Sequence, residues 1–338
     1  MIKRLLAIAG AAMLVGMGPA SAQFGPPELI QAAKKEGRLV LYTANFAEVE
    51  QQIIREFNKK FPEIRVEMVR APGGQLLTRF KTEAAAGKLN ADVMVHSDRG
   101  LLAEIADQFL DYAPPNAADY HEAARASDKH WPAITTGWVI AYNAALVKNP
   151  PKTWMDLIKP EYSGKKIGQV AAPSGGTTWT RTMFERQVLG EDYHANQAKL
   201  GVVLYPSGAP TADALVRGEV EIAPLLSNLF HAKMKDGAPV EAVYPPEGVP
   251  MAPFVEGIPK TAKNPNAARL FLNWRLSVEG QKFLIEDLGH LTSLKNPPAY
   301  PKGWDIKTVK VWYPKFAEFE KLRESWIADW NKIYNYRQ

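Results

Sequence analysis

The chain has 338 residues, 46% hydrophobic and 23% charged, with a formal net charge of +5 and no cysteine. This is ordinary globular composition with room for two α/β domains, and it excludes disulfides, thiol catalysis and cysteine metal sites. No basic run interleaved with aromatics favours nucleic acid, whereas a mild positive excess is compatible with an anionic small ligand.

Residues 1–22 read as a secretory leader. Lys3 and Arg4 precede the apolar stretch Leu5 to Gly18, and Ala20-Ser21-Ala22 forms a small-residue cleavage site before Gln23. Cleavage there lowers the formal charge by two, and no cysteine follows to accept a lipid. The expectation is a soluble, exported protein. No later apolar run reaches the ~18 residues of a membrane span.

Pro27 to Lys35 reads as a short amphipathic helix ended by Gly37, and Leu39 to Tyr42 as a strand buried on both faces. Ala47 to Lys60 is helical, with Val49, Ile53, Ile54 and Phe57 on one face. Ile64 to Val69 alternates as a second strand, Gln75 to Ala86 is a helix, and Ala91 to Val95 is a third strand. Such alternation predicts a doubly wound sheet, whose ligands sit beyond the carboxyl ends of the strands. Here those ends are residues 43–46, 70–74 and 96–99, which should meet at one edge.

The pattern then repeats. Trp138 to Tyr142 is a strand, Thr153 to Leu157 a short helix, and Lys166 to Val170 a strand. A helix from about Trp179 to Leu189 follows, then one from Ala212 ending at Gly218, and the strand Val220 to Leu226. The Pro-rich stretches 239–253 and 297–301 read as loops. Asn266 to Leu288 is one long amphipathic segment, and Trp312 to Tyr336 a single helix.

The sharpest local signal is Pro173-Ser174-Gly175-Gly176-Thr177-Thr178, a Gly pair between a buried strand and a helix. Ser174 or Thr177 can cap that helix, and open amides at its start favour an anion. Neither a dinucleotide fingerprint nor a phosphate-binding loop ending in Gly-Lys-Ser/Thr is present. Pro72-Gly73-Gly74-Gln75 repeats the device after the second strand. His96 and His231 stand near strand ends, but no histidine pair has zinc-ligand spacing. There is no nucleophile elbow, base partner for Ser174 or marked carboxylate pair, so no catalytic site is assigned. Trp179, after the Gly pair, is a candidate apolar wall.

The ordered set Gly37-Arg-Leu-Val-Leu-Tyr42, Ala91-Asp-Val93, Ala141-Tyr-Asn143, Pro151-Lys-Thr-Trp-Met-Asp-Leu157, Tyr162-Ser-Gly-Lys-Lys166, Pro173-Ser-Gly-Gly176, Val216-Arg-Gly-Glu-Val220 and Leu276-Ser-Val-Glu-Gly-Gln281 spans nearly the whole chain. It resembles the periplasmic solute-binding proteins of ABC importers, in the group with ferric-ion, phosphonate and thiamine binders. The resemblance implies a type II α/β fold of two doubly wound lobes around a ligand cleft. Lobe one would take 23–143 and 256–300, lobe two 144–255, and 301–338 would form a C-terminal helical segment packing on the lobes. It also implies a monomer that delivers its ligand to an inner-membrane permease and needs no cofactor.

Ferric relatives hold metal with two adjacent tyrosines, a histidine and a glutamate. The motif alignment puts Asn228 and Leu229 at the tyrosine positions, Phe46 at the histidine and Ser97 at the glutamate. None suits a hard ferric ion, so no metal is assigned. The part that holds an anion in relatives corresponds to Ser174, Gly175, Gly176 and Thr177. The expected site takes a small carboxylate, phosphonate or phosphate ester. Asn45, Ser97 and Asn228 would offer neutral hydrogen bonds, Phe46 a wall and Gly74 a second turn, with Arg70, Arg99 or Arg181 pairing the charge. A metal carrier using His96, Asp98 or Tyr244, a sensory binding protein and an enzyme on the same fold are the alternatives.

Overall fold

The computed structural model describes residues 24–300 and 309–337, so the expected leader lies outside the described residues. The first half builds α1 (Pro27–Glu36), β1 (Arg38–Thr43), α2 (Ala47–Lys60), β2 (Arg65–Arg70), α3 (Gly73–Ala85) and β3 (Val93–His96). Strand β1 pairs in parallel with β2 and β3. Leu39 and Leu41 enter one core with Val93 and Val95, while Val40 and Tyr42 enter another with Met94. Both faces of β1 are covered, which is why its sequence reads as a continuous apolar run. Gly37 ends α1 with φ 66°, a left-handed turn that favours glycine.

After the short α4 (Arg99–Ala103) comes β4 (Trp131–Asn143), thirteen residues long and buried throughout. Only the part from Trp138 to Tyr142 is marked as strand by its sequence. Strands β5 (Gly168–Val170) and β6 (Val203–Tyr205) and helices α5 (Gly176–Val188), α6 (Tyr193–Ala198) and α7 (Gly208–Arg217) follow. Then come β7 (Ile222–Leu226), α8 (Ser227–Lys235), β8 (Val240–Val243) and β9 (Val249–Gly257).

Strands β4 and β9 join the two halves. Antiparallel to each other, they pair from Trp131↔Glu256 to Gly137↔Met251. The end of β9 adds to β3, and the end of β4 adds to β7 and β8. The stretch 239–253, read as a loop, is therefore mostly strand. Pro253 falls between the part of β9 that reaches β10 (Val311–Trp312) and the part that reaches β3, where β9 has one neighbour fewer.

The long segment 266–288 is two helices, α9 (Pro265–Leu276) and α10 (Val278–Glu286). Ser277 breaks them, its hydroxyl accepting from the Gly280 N–H at 3.1 Å as the cap of α10. The C-terminal stretch is likewise divided, into α11 (Phe316–Phe319) and α12 (Arg323–Ile333). Among the described residues no helix is long and apolar enough to cross a membrane.

Candidate functional site

A cleft of about 410 Å³ lies between the halves, within the range of small-molecule sites. Its floor is Trp138 on β4, Phe254 on β9 and Leu226 on β7. One wall is formed by the three strand-end loops of the first half: Ala44 and Phe46, Arg70 to Gly74 without Ala71, and His96 to Asp98 with Leu101. Val170, Pro173 to Thr178, Ser207 and Gly208 form the other wall. Arg323, from the start of α12, completes the lining.

Three of the helices that begin at this cleft open on its glycines. Gly73 and Gly74 open α3, Gly176 to Thr178 open α5, and Gly208 opens α7. None has a side-chain cap or an acidic residue in its first turn. Helix α5 starts three residues earlier than the sequence suggested, with Gly175 at the N-cap position. Neither Ser174 nor Thr177 caps it. The first-turn amides are left unbonded within each helix, and each terminus carries about half a positive charge.

Close backbone approach fixes the geometry. A Cβ on Gly176 would stand 2.7 Å from the Ser97 carbonyl oxygen, so only glycine lets α5 meet the end of β3 this closely. A Cβ on Gly73 would stand 2.7 Å from His96 Nε2. His96 Nδ1 accepts from the Asp98 N–H at 2.9 Å, and burial holds the imidazole pKa below its ordinary value. The ring is thus neutral at pH 7.

The expected site residues fall into two sets. Phe46, Gly74, Ser97, Ser174, Gly175, Gly176 and Thr177 line the cleft. Asn45 and Asn228 do not. Asn45 is buried with its Nδ2 donating to Glu50 Oε1 at 3.3 Å, and Asn228 Oδ1 accepts from the Thr136 hydroxyl at 2.9 Å. Both serve the walls from behind. Of the three arginines, Arg70 lines the cleft, its Nε donating to the Asn45 carbonyl at 3.2 Å. Arg99 points away to the Ala123 and Arg125 carbonyls, and Arg181 to the Val170 carbonyl at 2.9 Å and Glu185 at 3.2 Å. Trp179 is also turned away, its Nε1 donating to the Phe319 carbonyl at 2.6 Å.

The metal alternative fares differently in space. His96 and Asp98 reach the cleft, but Tyr244 packs in another core. Among the described residues no three His, Asp or Glu side chains are placed to hold a metal ion.

Sequence reasoning missed Ser207, Gly208 and Arg323. A signal for the first two existed: Pro206-Ser207-Gly208 follows β6 as Pro173-Ser174-Gly175 follows β5. Nothing local marks Arg323, which arrives from a distant part of the chain.

Residues 43–282 match the family model described as bacterial extracellular solute-binding protein. The chain belongs to that family. Solute-binding relatives of known structure share the fold closely. Iron-bound HitA from Pseudomonas aeruginosa superposes with a TM-score of 0.71 at 20% identity, over 88% of this chain and 98% of its own. AfuA from Actinobacillus pleuropneumoniae, with fructose-6-phosphate bound, gives 0.72 at 22% identity over 89% and 99%. The spermidine/putrescine-binding periplasmic protein 1 of Haemophilus influenzae is 28% identical over 174 residues, 48% of each chain. These solute-binding proteins take a metal, an anion and a polycation, so the fold leaves the ligand open.

Proposed function

We propose that this chain is the periplasmic receptor of an ABC importer, and that its two lobes close on a small organic anion, a carboxylate, phosphonate or phosphate ester. The observation that carries the reading is the convergence of three uncapped, acid-free helix N-termini on one cleft. Each stabilises a negative charge by about 0.3–1 kcal/mol, up to ~2 kcal/mol when partly buried. Arg70 and Arg323 add guanidinium groups, while Asp98 is the sole carboxylate among the lining residues and is already paired with Arg323.

That balance argues against both cationic cargoes. A polyamine needs several carboxylates to replace its water, and a ferric ion needs hard anionic oxygen ligands. Binding alone accounts for the site, and no covalent step is assigned to it. We place the lobes at 23–143 with 256–300 and at 144–255, because β9 carries the sheet into the first half at β3 while β4, paired with β9, carries it into the second at β7 and β8. Contacts made by both lobes exist only in the closed form, so ligand shifts the population toward it, and the closed form is what the permease reads.

The experiment is a thermal-shift panel of organic acids, phosphonates, sugar phosphates, polyamines and ferric citrate. An anion at 100 times its Kd adds about 2.7 kcal/mol of stability, and stabilisation by anionic compounds is the expected result. Stabilisation by polyamines alone would refute it.

A further inference from the structure

The C-terminal segment joins the two walls of the cleft. It is seated on the second half. Trp330 packs with Ala171 and Ala172, Phe319 packs with Trp179 and Met183, and the Tyr334 hydroxyl donates to Gln197 Oε1 at 2.7 Å. Arg186 and Asp329 add an ion pair at 3.1 Å.

From that seat the turn between α11 and α12 crosses to the first half. Arg323 pairs with Asp98, whose other carboxylate oxygen accepts from the Leu101 N–H at the start of α4. Glu320 lies 3.6 Å from the same guanidinium, and its side chain sits directly over Gly100. The Arg99 guanidinium stands 5.4 Å from the centre of the Phe319 ring. Asp98 is 5% exposed and Arg323 23%, so the pair is shielded more than a surface ion pair. Asp98 also lies beneath Gly176, whose added Cβ would stand 3.0 Å from the Asp98 Cα.

We propose that residues 319–323 form a clasp, carried on the second lobe, which holds the closed state by pairing Arg323 with Asp98 of the first lobe at the rim of the ligand cleft. The proposal rests on the reading of this cleft as a closing ligand site. Opening the lobes would separate the charges, because Arg323 travels with α5 and α6 while Asp98 stays with β3. Arg323 thus has two duties, as a lining group and as the tie that closes the cleft over an occupant.

The chain has no cysteine, so a pair of spin labels can be placed cleanly at exposed Arg65 and Glu161, one in each half. Distances between them are measured in full-length protein, with and without inorganic phosphate. The labelled protein is expected to show a closed population, and Arg323→Gln to reduce it about threefold or more. Asp98→Asn should do the same, and the double variant should be no more open than either single one, since both remove one interaction. Cooperative melting of each variant establishes that it is folded. Should Arg323→Gln fail to fold, Asp98→Asn carries the same comparison. A distribution lacking a closed population, or one that both variants leave unchanged, overturns the clasp. If phosphate changes nothing while the variants still open the protein, the clasp stands by itself and the anion assignment is decided by the thermal-shift panel of organic anions.

Discussion

Single residues hold this structure at points where removing one side chain strands several backbone groups. Asp92 accepts from the Val40 and Lys263 N–H groups at 2.8 Å, from the Asn264 N–H at 2.9 Å and from Asn264 Nδ2 at 2.8 Å. It thereby ties β1 to the start of α9. Asp92→Ala is expected to lower unfolding stability by about 2–3 kcal/mol, because one buried and two part-buried amides lose their acceptor. Urea denaturation reads this directly, and a loss below about 1 kcal/mol would contradict it.

The buried triad Glu50–Arg275–Glu256 has a different consequence. Arg275 lies 3.5 Å from Glu50 and 3.1 Å from Glu256, all three fully buried. Burial raises the Glu256 carboxyl to about 8, with Arg275 opposing and Glu50 reinforcing the shift. The folded state therefore binds a proton that the unfolded chain, titrating near 4.5, releases. This group's contribution is full below about pH 4.5 and is lost as pH rises toward 8. Glu256→Gln should flatten the fall in melting temperature between pH 5 and 8. An unchanged slope would show that Glu256 is ionised in the folded protein.

At the scale of elements, α5 decides how closely the two walls approach. Gly176→Ala is expected to weaken ligand capture at least tenfold while leaving the fold intact, since its methyl group collides with the Ser97 carbonyl only when the walls meet. Gly74→Ala, whose added carbon meets nothing within 4 Å, is the matched control. Equal affinities for the two variants would show that the close contact is irrelevant to binding. The doubly covered strands β1 and β3 were legible because burial on both faces leaves an apolar run in the sequence. Strand β9 was not, because Pro250 and Pro253 look like loop residues until its neighbours show which ladder positions are spare. The Gly-Gly turns were visible as motifs. Which arginine faces inward was not, since that depends on what packs around each one: Arg181 is drawn to the Val170 carbonyl and Glu185 inside its lobe, while Arg70 at the end of β2 is left on the cleft.

For the whole molecule, two halves joined by β4 and β9 enclose a cleft rich in positive backbone ends. The family fold accommodates cargoes of either charge, and the polar groups of this cleft make the choice. Gly175 faces open space, so Gly175→Asp adds a carboxylate at the α5 terminus without a clash. Whether an anion sits on these amides is decided by titration calorimetry of wild type and Gly175→Asp, against the anion that most stabilises the wild type. Stoichiometric binding by wild type, and its loss in the variant at an unchanged melting temperature, is the expected result. Equal affinity in both proteins would contradict an anion seated on these amides.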